Sequence, residues 1–246
     1  MKRDAADILD QRRQIWRSKG VVRGLYRKWY QLIGSALQGG IIVELGGGSG
    51  NLKEYFPGAI SSDILFAPWL DAVLDAQALP FQDQSIDGIV LFDVLHHLSR
   101  PILFFSEAQR VLRPKGRIVM MEPFVSWFSY FVYRLFHHES MNWHVDPFGK
   151  GSQEGEKDPF EGNQAVPTII FEKQKEKFGA FFPGLTILKK EVMDFLVYPL
   201  SGGFHHPTFI PAFLWPALRS MENLLRPLGR FLAFRLFVVA EKSLQV

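Results

Sequence analysis

Apolar residues at Val22, Leu25, Trp29, Leu32 or Ile33, and Leu37 recur at helical spacing and predict a helix that stops at Gly39-Gly40. The stretch that follows, "IIVEL", is short, β-branched and bounded by glycines, as a buried parallel strand should be. A helix is expected to begin near Asn51. The segments "AISSDIL", "LDAVLD" and "DGIVLFD" are three further strand candidates. In "ILFFSEAQRVLRPKG", Ile102, Phe105, Ala108, Val111 and Leu112 form a helical stripe that Gly116 should end, and "RIVMME" is a fifth strand. Strands alternating with helices predict an α/β chain with a doubly wound, mostly parallel sheet, whose ligands lie beyond the carboxyl ends of the strands.

The later half is less regular. Residues 123–163 are rich in aromatics, then in Gly, Asp and Glu, and read as a lid insertion after the fifth strand, one apolar helix followed by loops. A helix around Val166 to Phe182 and the strand-like "LTILKKEVMDF" resume the core. Ile210, Phe213, Leu214, Ala217, Leu218, Met221, Leu224, Leu225 and Leu228 make one amphipathic face despite Pro211 and Pro216, so a helical insertion is expected at about 204–230. "RLFVVAEK" closes a seven-stranded Rossmann-like sheet. The organisation is then an N-terminal helical segment 1–40, a core 41–122, the insertion 123–163 and the remainder of the core 164–246.

Composition changes this picture little. With 246 residues, 47% of them hydrophobic and 22% charged, the chain can bury one full core. Its charge is unevenly placed: residues 1–30 hold nine Lys/Arg against three Asp, a net +6 that leaves −3 for the rest. We read the basic start chiefly as a solvated helix face and expect no nucleic-acid partner. There are no cysteines, and Arg12, Arg13, Arg17 and Lys19 break up any signal-peptide core. The longest strongly apolar run, Val125 to Phe136, contains Arg134 and is shorter than the ~20 residues of a membrane span. A cytoplasmic protein is the expectation, with a peripheral membrane contact as an alternative.

Candidate chemistry starts at "VELGGGSGNL", Val43 to Leu52. Glycines at the junction of a strand and a helix suit close approach of a ligand, either a dinucleotide pyrophosphate or another adenosine cofactor, and Asp63 could bind ribose hydroxyls in both cases. The dinucleotide spacing wants a small residue where Asn51 stands. Downstream, "LDAQALPF" and "DGIVLFDVLHHLSRP" follow in an order and spacing that resembles the class I S-adenosylmethionine-dependent methyltransferases, in particular the small-molecule branch called type 11. The resemblance covers about Ile41 to Pro123. It implies that Glu44 and the loop Gly46, Gly47, Gly48 and Gly50 cradle the methionyl part of S-adenosylmethionine, and that Asp63 binds the ribose diol with Ile64 beside it. It also implies that Asp75 takes the adenine amine next to the Ala76 backbone N–H, and that Phe92 and Asp93 close the floor near the sulfonium. One departure stands out. Only "ILFAPWLDAVL" separates Asp63 from Asp75, so the usual helix there must shrink to a turn around Ala67-Pro68, with Leu65, Phe66 and Trp69 as the adenine wall.

Methyl transfer from a sulfonium is an in-line displacement that needs alignment and a dry site, with no metal, and S-adenosylhomocysteine is the product. A histidine suits the role of general base. His97, His138 and His144 are the candidates, with His96 beside the first. In "HHESMNWHVDPF", His137, His138, Glu139, His144 and Asp146 could converge, and His205 and His206 lie on a rim loop. Trp127, Phe128, Tyr130, Phe131, Tyr133 and Phe136 would form an aromatic lid, which favours an apolar acceptor or, as competing explanations, a homodimer or membrane contact. The expected activity is methyl transfer to oxygen or nitrogen of a small, lipid-like or peptide acceptor. A non-catalytic scaffold and a nicotinamide-dependent oxidoreductase are the alternatives.

Overall fold

A computed structural model describes residues 5–137, 139–149, 158–204 and 206–244. In chain order the regular elements are α1 (Ala5–Ser18), α2 (Gly20–Ala36), β1 (Ile42–Leu45), β2 (Ile60–Asp63), β3 (Ala72–Val73), β4 (Ile86–Phe92), α3 (Pro101–Val111) and β5 (Leu112–Pro123). They continue with α4 (Trp127–Phe136), α5 (Val166–Thr168), α6 (Lys175–Phe181), β6 (Leu185–Met193), α7 (Val197–Ser201), α8 (Trp215–Leu225), α9 (Gly229–Leu232) and β7 (Arg235–Lys242). The seven strands form one sheet in the order β3-β2-β1-β4-β5-β7-β6. Strands β1 to β5 pair in parallel, and β7 enters antiparallel between β5 and β6.

Period-two alternation sends successive side chains of each strand to opposite cores. Ile89 and Leu91 of β4, Ile118 and Met120 of β5, and Leu236 and Val238 of β7 face one side, which α3 covers with Phe104, Phe105 and Ala108 and α6 with Phe178. Val90, Phe92, Val119, Met121 and Phe237 face the other, where Trp16 and the α2 residues Leu25, Trp29 and Ile33 pack. The basic N-terminal segment is thus more than a solvated face. Its apolar stripe is half of a core, Arg13 lies 4.4 Å over the Trp69 ring, and Arg12 lies over Phe160 at 5.4 Å.

Several expected elements differ. The helix from Asn51 is a single 3-10 turn, Leu52–Glu54, because Pro57-Gly58 follows too soon for a helix to propagate. Trp16 of α1 reaches that site, its indole N–H donating to Glu54 Oε1 at 2.8 Å. Between β2 and β3 there is only a turn, and β3 is two residues long. Helix α3 ends at Val111 rather than Gly116, since Leu112 already pairs with Ile86 in the sheet and Lys115 takes a left-handed φ of 67°. The helix expected over Val166 to Phe182 is α5, a π-helical turn Ile169–Lys173, and α6. The amphipathic face expected from Ile210 to Leu228 is divided: Trp215, Leu218 and Leu225 pack inward, whereas Phe213, Met221, Leu224 and Leu228 are exposed.

Candidate active site

Strand β1 ends at Leu45 and the chain turns sharply at Gly46, whose φ is +73° and whose missing Cβ leaves room for the Val94 side chain. Only glycine meets both conditions cheaply. Gly46→Ala is therefore expected to destabilise the fold by about 2–3 kcal/mol, read from the urea midpoint; a wild-type midpoint would remove the constraint. The loop is tied to β2 and to Trp69. Gly47 N–H donates to Ser62 O at 2.7 Å and Gly48 N–H to Asp63 Oδ2 at 2.9 Å. Trp69 Nε1 donates to Gly48 O at 2.9 Å, and its ring occupies the space a Cβ on Gly50 would need.

A cavity of about 1360 Å³ opens at the carboxyl ends of β1, β2 and β4. Glu44, Gly46, Gly47, Gly48, Asp63, Ile64, Asp75, Ala76, Phe92, Asp93 and His97 all line it. Gly50 does not; it belongs to the packing against Trp69. Of the expected adenine wall, Leu65 lines the cavity, Phe66 is largely exposed, and Trp69 turns toward Arg13 and Gly50. His144 is a correction: it is exposed and away from the cavity, its backbone N–H held by Asn142 Oδ1. Asp146 likewise stands outside, paired with Lys177 at 2.9 Å. His138 and His205 lie outside the described residues. Among the described residues, the convergence expected in 137–146 reduces to His137 and Glu139, with His206 added from the rim.

Two of the acids at the glycine end, Glu44 and Asp63, are buried. Glu44 accepts the Ser61 hydroxyl, yet burial pushes its carboxyl up to about 7 against that bond. Asp63 is also raised by burial, opposed by the Leu65 and Gly48 N–H groups that it accepts. Asp75 accepts Gln77 N–H at 2.8 Å.

A chain of charges runs from the end of β5 to the cavity wall. Glu122, at the end of β5, accepts the N–H groups of Val94 and Leu95 and faces His96 Nδ1 at 2.7 Å. His96 Nε2 lies 3.2 Å from Glu139 Oε2, and His97 Nε2 lies 3.9 Å from Glu139 Oε1. Burial alone would lower His96, but the bonds to both carboxylates outweigh it and raise the imidazole to about 10. In turn, although burial opposes it, His96 holds Glu122 and Glu139 below the usual carboxylate range. His97 goes the other way, down to about 4, through burial and the charge on His96. His96 is accordingly an ion-pair cation, and His97 a neutral imidazole at pH 7. The same donors are close enough to surround a cation, as His96, His97 and Glu139 or as Asp93, His96 and Glu122. With a proton on each ring nitrogen, however, His96 has no lone pair to offer.

Asp93, in a left-handed conformation with φ +56°, pairs with Arg235 Nη1 at 2.6 Å. Arg235 is 2% exposed and boxed by the rings of Trp29, Phe92 and Tyr198 at 5.1, 5.3 and 5.4 Å. Sequence reading passed over Arg235, Glu122 and the cavity tyrosines Tyr26 and Tyr198. A usable signal existed. An acid closing the apolar strand "RIVMME" and an arginine opening "RLFVVAEK" fall at the same sheet edge once β7 runs antiparallel, Pro123 pairing with Arg235.

Comparison with known proteins bears on this geometry. Residues 43–120 match the family model described as a methyltransferase domain. A segment is 49% identical over 49 residues to an uncharacterized 37.1 kDa protein in transposon TN4556 of Streptomyces fradiae; the match spans 20% of this chain and 14% of that protein. Among solved structures, a SAM-dependent methyltransferase from Archaeoglobus fulgidus superposes with a TM-score of 0.54 at 16% identity, covering 89% of this chain and 94% of that one. The geranyl diphosphate C-methyltransferase of Streptomyces coelicolor A3(2) gives 0.47 at 11% identity over 90% and 80% of the two chains. Neither the scaffold nor the nicotinamide alternative is favoured, and the antiparallel β7 between β5 and β6 departs from the 3-2-1-4-5-6 order of dinucleotide folds. Residues 43–120 thus match a methyltransferase domain, and the seven-stranded sheet built around them has the Rossmann-like fold of class I S-adenosylmethionine-dependent methyltransferases.

Proposed function

We propose that the protein transfers the methyl group of S-adenosylmethionine to an oxygen or nitrogen of a small, largely apolar acceptor, of lipid-like or aromatic character. The observation that carries this reading is the make-up of the large cavity at the strand ends. A glycine turn and three acids, Glu44, Asp63 and Asp75, line one part, and rings such as Tyr26, Phe128, Tyr133 and Phe234 line another.

The residues present fit the cofactor. Glu44 is a buried carboxylate bonded to the Ser61 hydroxyl and raised to about 7, which the ammonium of a methionyl group would reverse. Asp63 accepts backbone N–H groups of Gly48, Ile64 and Leu65, and its carboxylate, with about four lone-pair sites, can still accept from a ribose diol. When bound, S-adenosylmethionine supplies an electrophilic methyl group on a sulfonium, open to in-line displacement. Beside the cavity, the carboxylates of Asp93, Glu122 and Glu139 outnumber the cations His96 and Arg235 by one, a surplus that complements one positive charge. His97 lines the cavity as a neutral imidazole and is the group placed to help orient an acceptor hydroxyl. With an affinity near 4 it holds a transferred proton only briefly. The aromatic wall excludes water from the reacting groups.

Calorimetry with S-adenosylmethionine and S-adenosylhomocysteine tests the reading, and no binding to folded protein would sink it. Asp63→Ala removes both the ribose acceptor and the anchor of Gly48 N–H, so affinity should fall about 10- to 100-fold. Unchanged affinity would take Asp63 out of the site. A scan of hydroxyl and amine acceptors with labelled methyl then sorts the acceptor class.

A further inference from the structure

We infer that α4, α8, α9 and the loop before α8 form a docking face for an anionic lipid bilayer, set beside the mouth of the cavity. Helix α8 spends its inward side on Trp215, Leu218, Leu225 and Glu222. The buried Glu222 carboxylate accepts the N–H groups of Phe195, Leu196 and Val197 at the start of α7, at 3.0, 2.8 and 2.8 Å. That arrangement leaves a second apolar stripe uncovered: Phe213 is 78% exposed and Leu224 80%. From α4, Trp127 and Leu135 are 70% and 74% exposed, and Phe231 of α9 is open as well. The pieces are continuous, since α9 packs on α4 and His206 Nε2 meets Phe136 O at 3.2 Å.

The charges choose the occupant. Within 127–136 and 206–232 the charged residues are Arg134, Arg219, Arg226, Arg230 and the buried Glu222, so every exposed charge there is positive. Arg226 and Arg230 reach back to Glu191 and Glu172 and remain mostly exposed. A two-fold contact with a second copy would set this one-sign face against itself. Anionic headgroups complement it, and Trp and Phe beside arginine are the side chains that settle at a headgroup boundary. Among the described residues no helix is long and apolar enough to cross a membrane, so the helices of this face would lie on the surface. Phe128, Phe136 and Phe209 are exposed and also line the cavity, so a lipid-like acceptor would enter from the bilayer without crossing water. Only this route rests on the proposed acceptor; the docking does not.

Co-sedimentation of the full chain with vesicles of phosphatidylcholine, with and without phosphatidylglycerol, tests the inference. Binding to the anionic vesicles should exceed binding to neutral ones by about tenfold or more and weaken with salt. Leu135→Glu with Leu224→Glu should abolish it, about tenfold or more in partition, with S-adenosylhomocysteine affinity unchanged. If that pair does not fold, Arg134→Glu with Arg219→Glu should lower anionic binding alone. Equal partition of wild type and folded variants overturns the proposal, as does a dimer in sedimentation velocity that Leu224→Glu dissolves. Loss of cofactor binding in the wild type would instead count against the methyltransferase reading.

Discussion

Replacing His96 with leucine is expected to lower folding stability at neutral pH by about 3–5 kcal/mol, because it strips the cation from a buried triad and leaves two carboxylates facing an apolar gap. Glu122 would keep the N–H groups of Val94 and Leu95, and Glu139 would keep the Gln164 amide. Neither set neutralises the charge. Adding Glu139→Gln should recover part of the loss, which separates charge from packing. The pH dependence has a definite sign. Since folding raises His96 from its ordinary 6.5 to about 10, its contribution is fully present below about 6.5 and is lost as pH rises through about 10. Glu122 and Glu139 are depressed, so their share is present above the ordinary value of 4.5 and fades as pH falls toward their folded values. Urea titrations between about pH 7 and 9 should show wild-type stability falling by up to about 1.4 kcal/mol per pH unit, one proton's worth. The variant should lack that slope. A variant that retains it would mean another group is responsible.

Arg235→Met is expected to cost about 3 kcal/mol, with loss of cofactor affinity of about tenfold or more. Methionine keeps the apolar bulk among Trp29, Phe92 and Tyr198, so what is lost is the charge, its ring contacts and the fork that bridges Asp93 and Met121 O. Asp93 keeps about a third of its side-chain surface open to the cavity, which limits the penalty of leaving it unpaired. Burial already raises Asp93, and Arg235 is the chief opposing influence. Without it, the left-handed backbone at Asp93 would rest mainly on its N–H bond to Met121 O at 2.9 Å. Arg235→Lys should fall between the two, because it restores the charge without the planar fork. Calorimetry with S-adenosylhomocysteine and denaturation read both effects, and wild-type stability in Arg235→Met would show that the pair contributes nothing net.

Much of the architecture was legible from local pattern. Strands β1, β4, β5 and β7 announce themselves as β-branched or apolar runs between glycines and charges, and the glycine turn with Glu44, Asp63 and Asp75 follows the strand ends at which ligands bind. Elements failed where one residue governs propagation. Pro57 held a crossover helix to a single turn, and Leu112 left α3 for the sheet. The convergence of histidines in 137–146 was misread because spacing along a loop says nothing of direction. His144 turned outward, while Glu139 turned in to meet His96.

By itself, then, the amino-acid order determined the alternating core, the strand ends and the acids at the glycine turn, because all of these depend on neighbours within a few residues. Which charges neutralise one another was decided only in three dimensions. Asp93 meets Arg235 across 142 residues, and His96 meets Glu122 across 26. Arg235 reaches Asp93 because β7 returns antiparallel beside β5, and Glu122 reaches His96 because β5 runs parallel to β4, and burial there makes an unpaired charge too costly to leave.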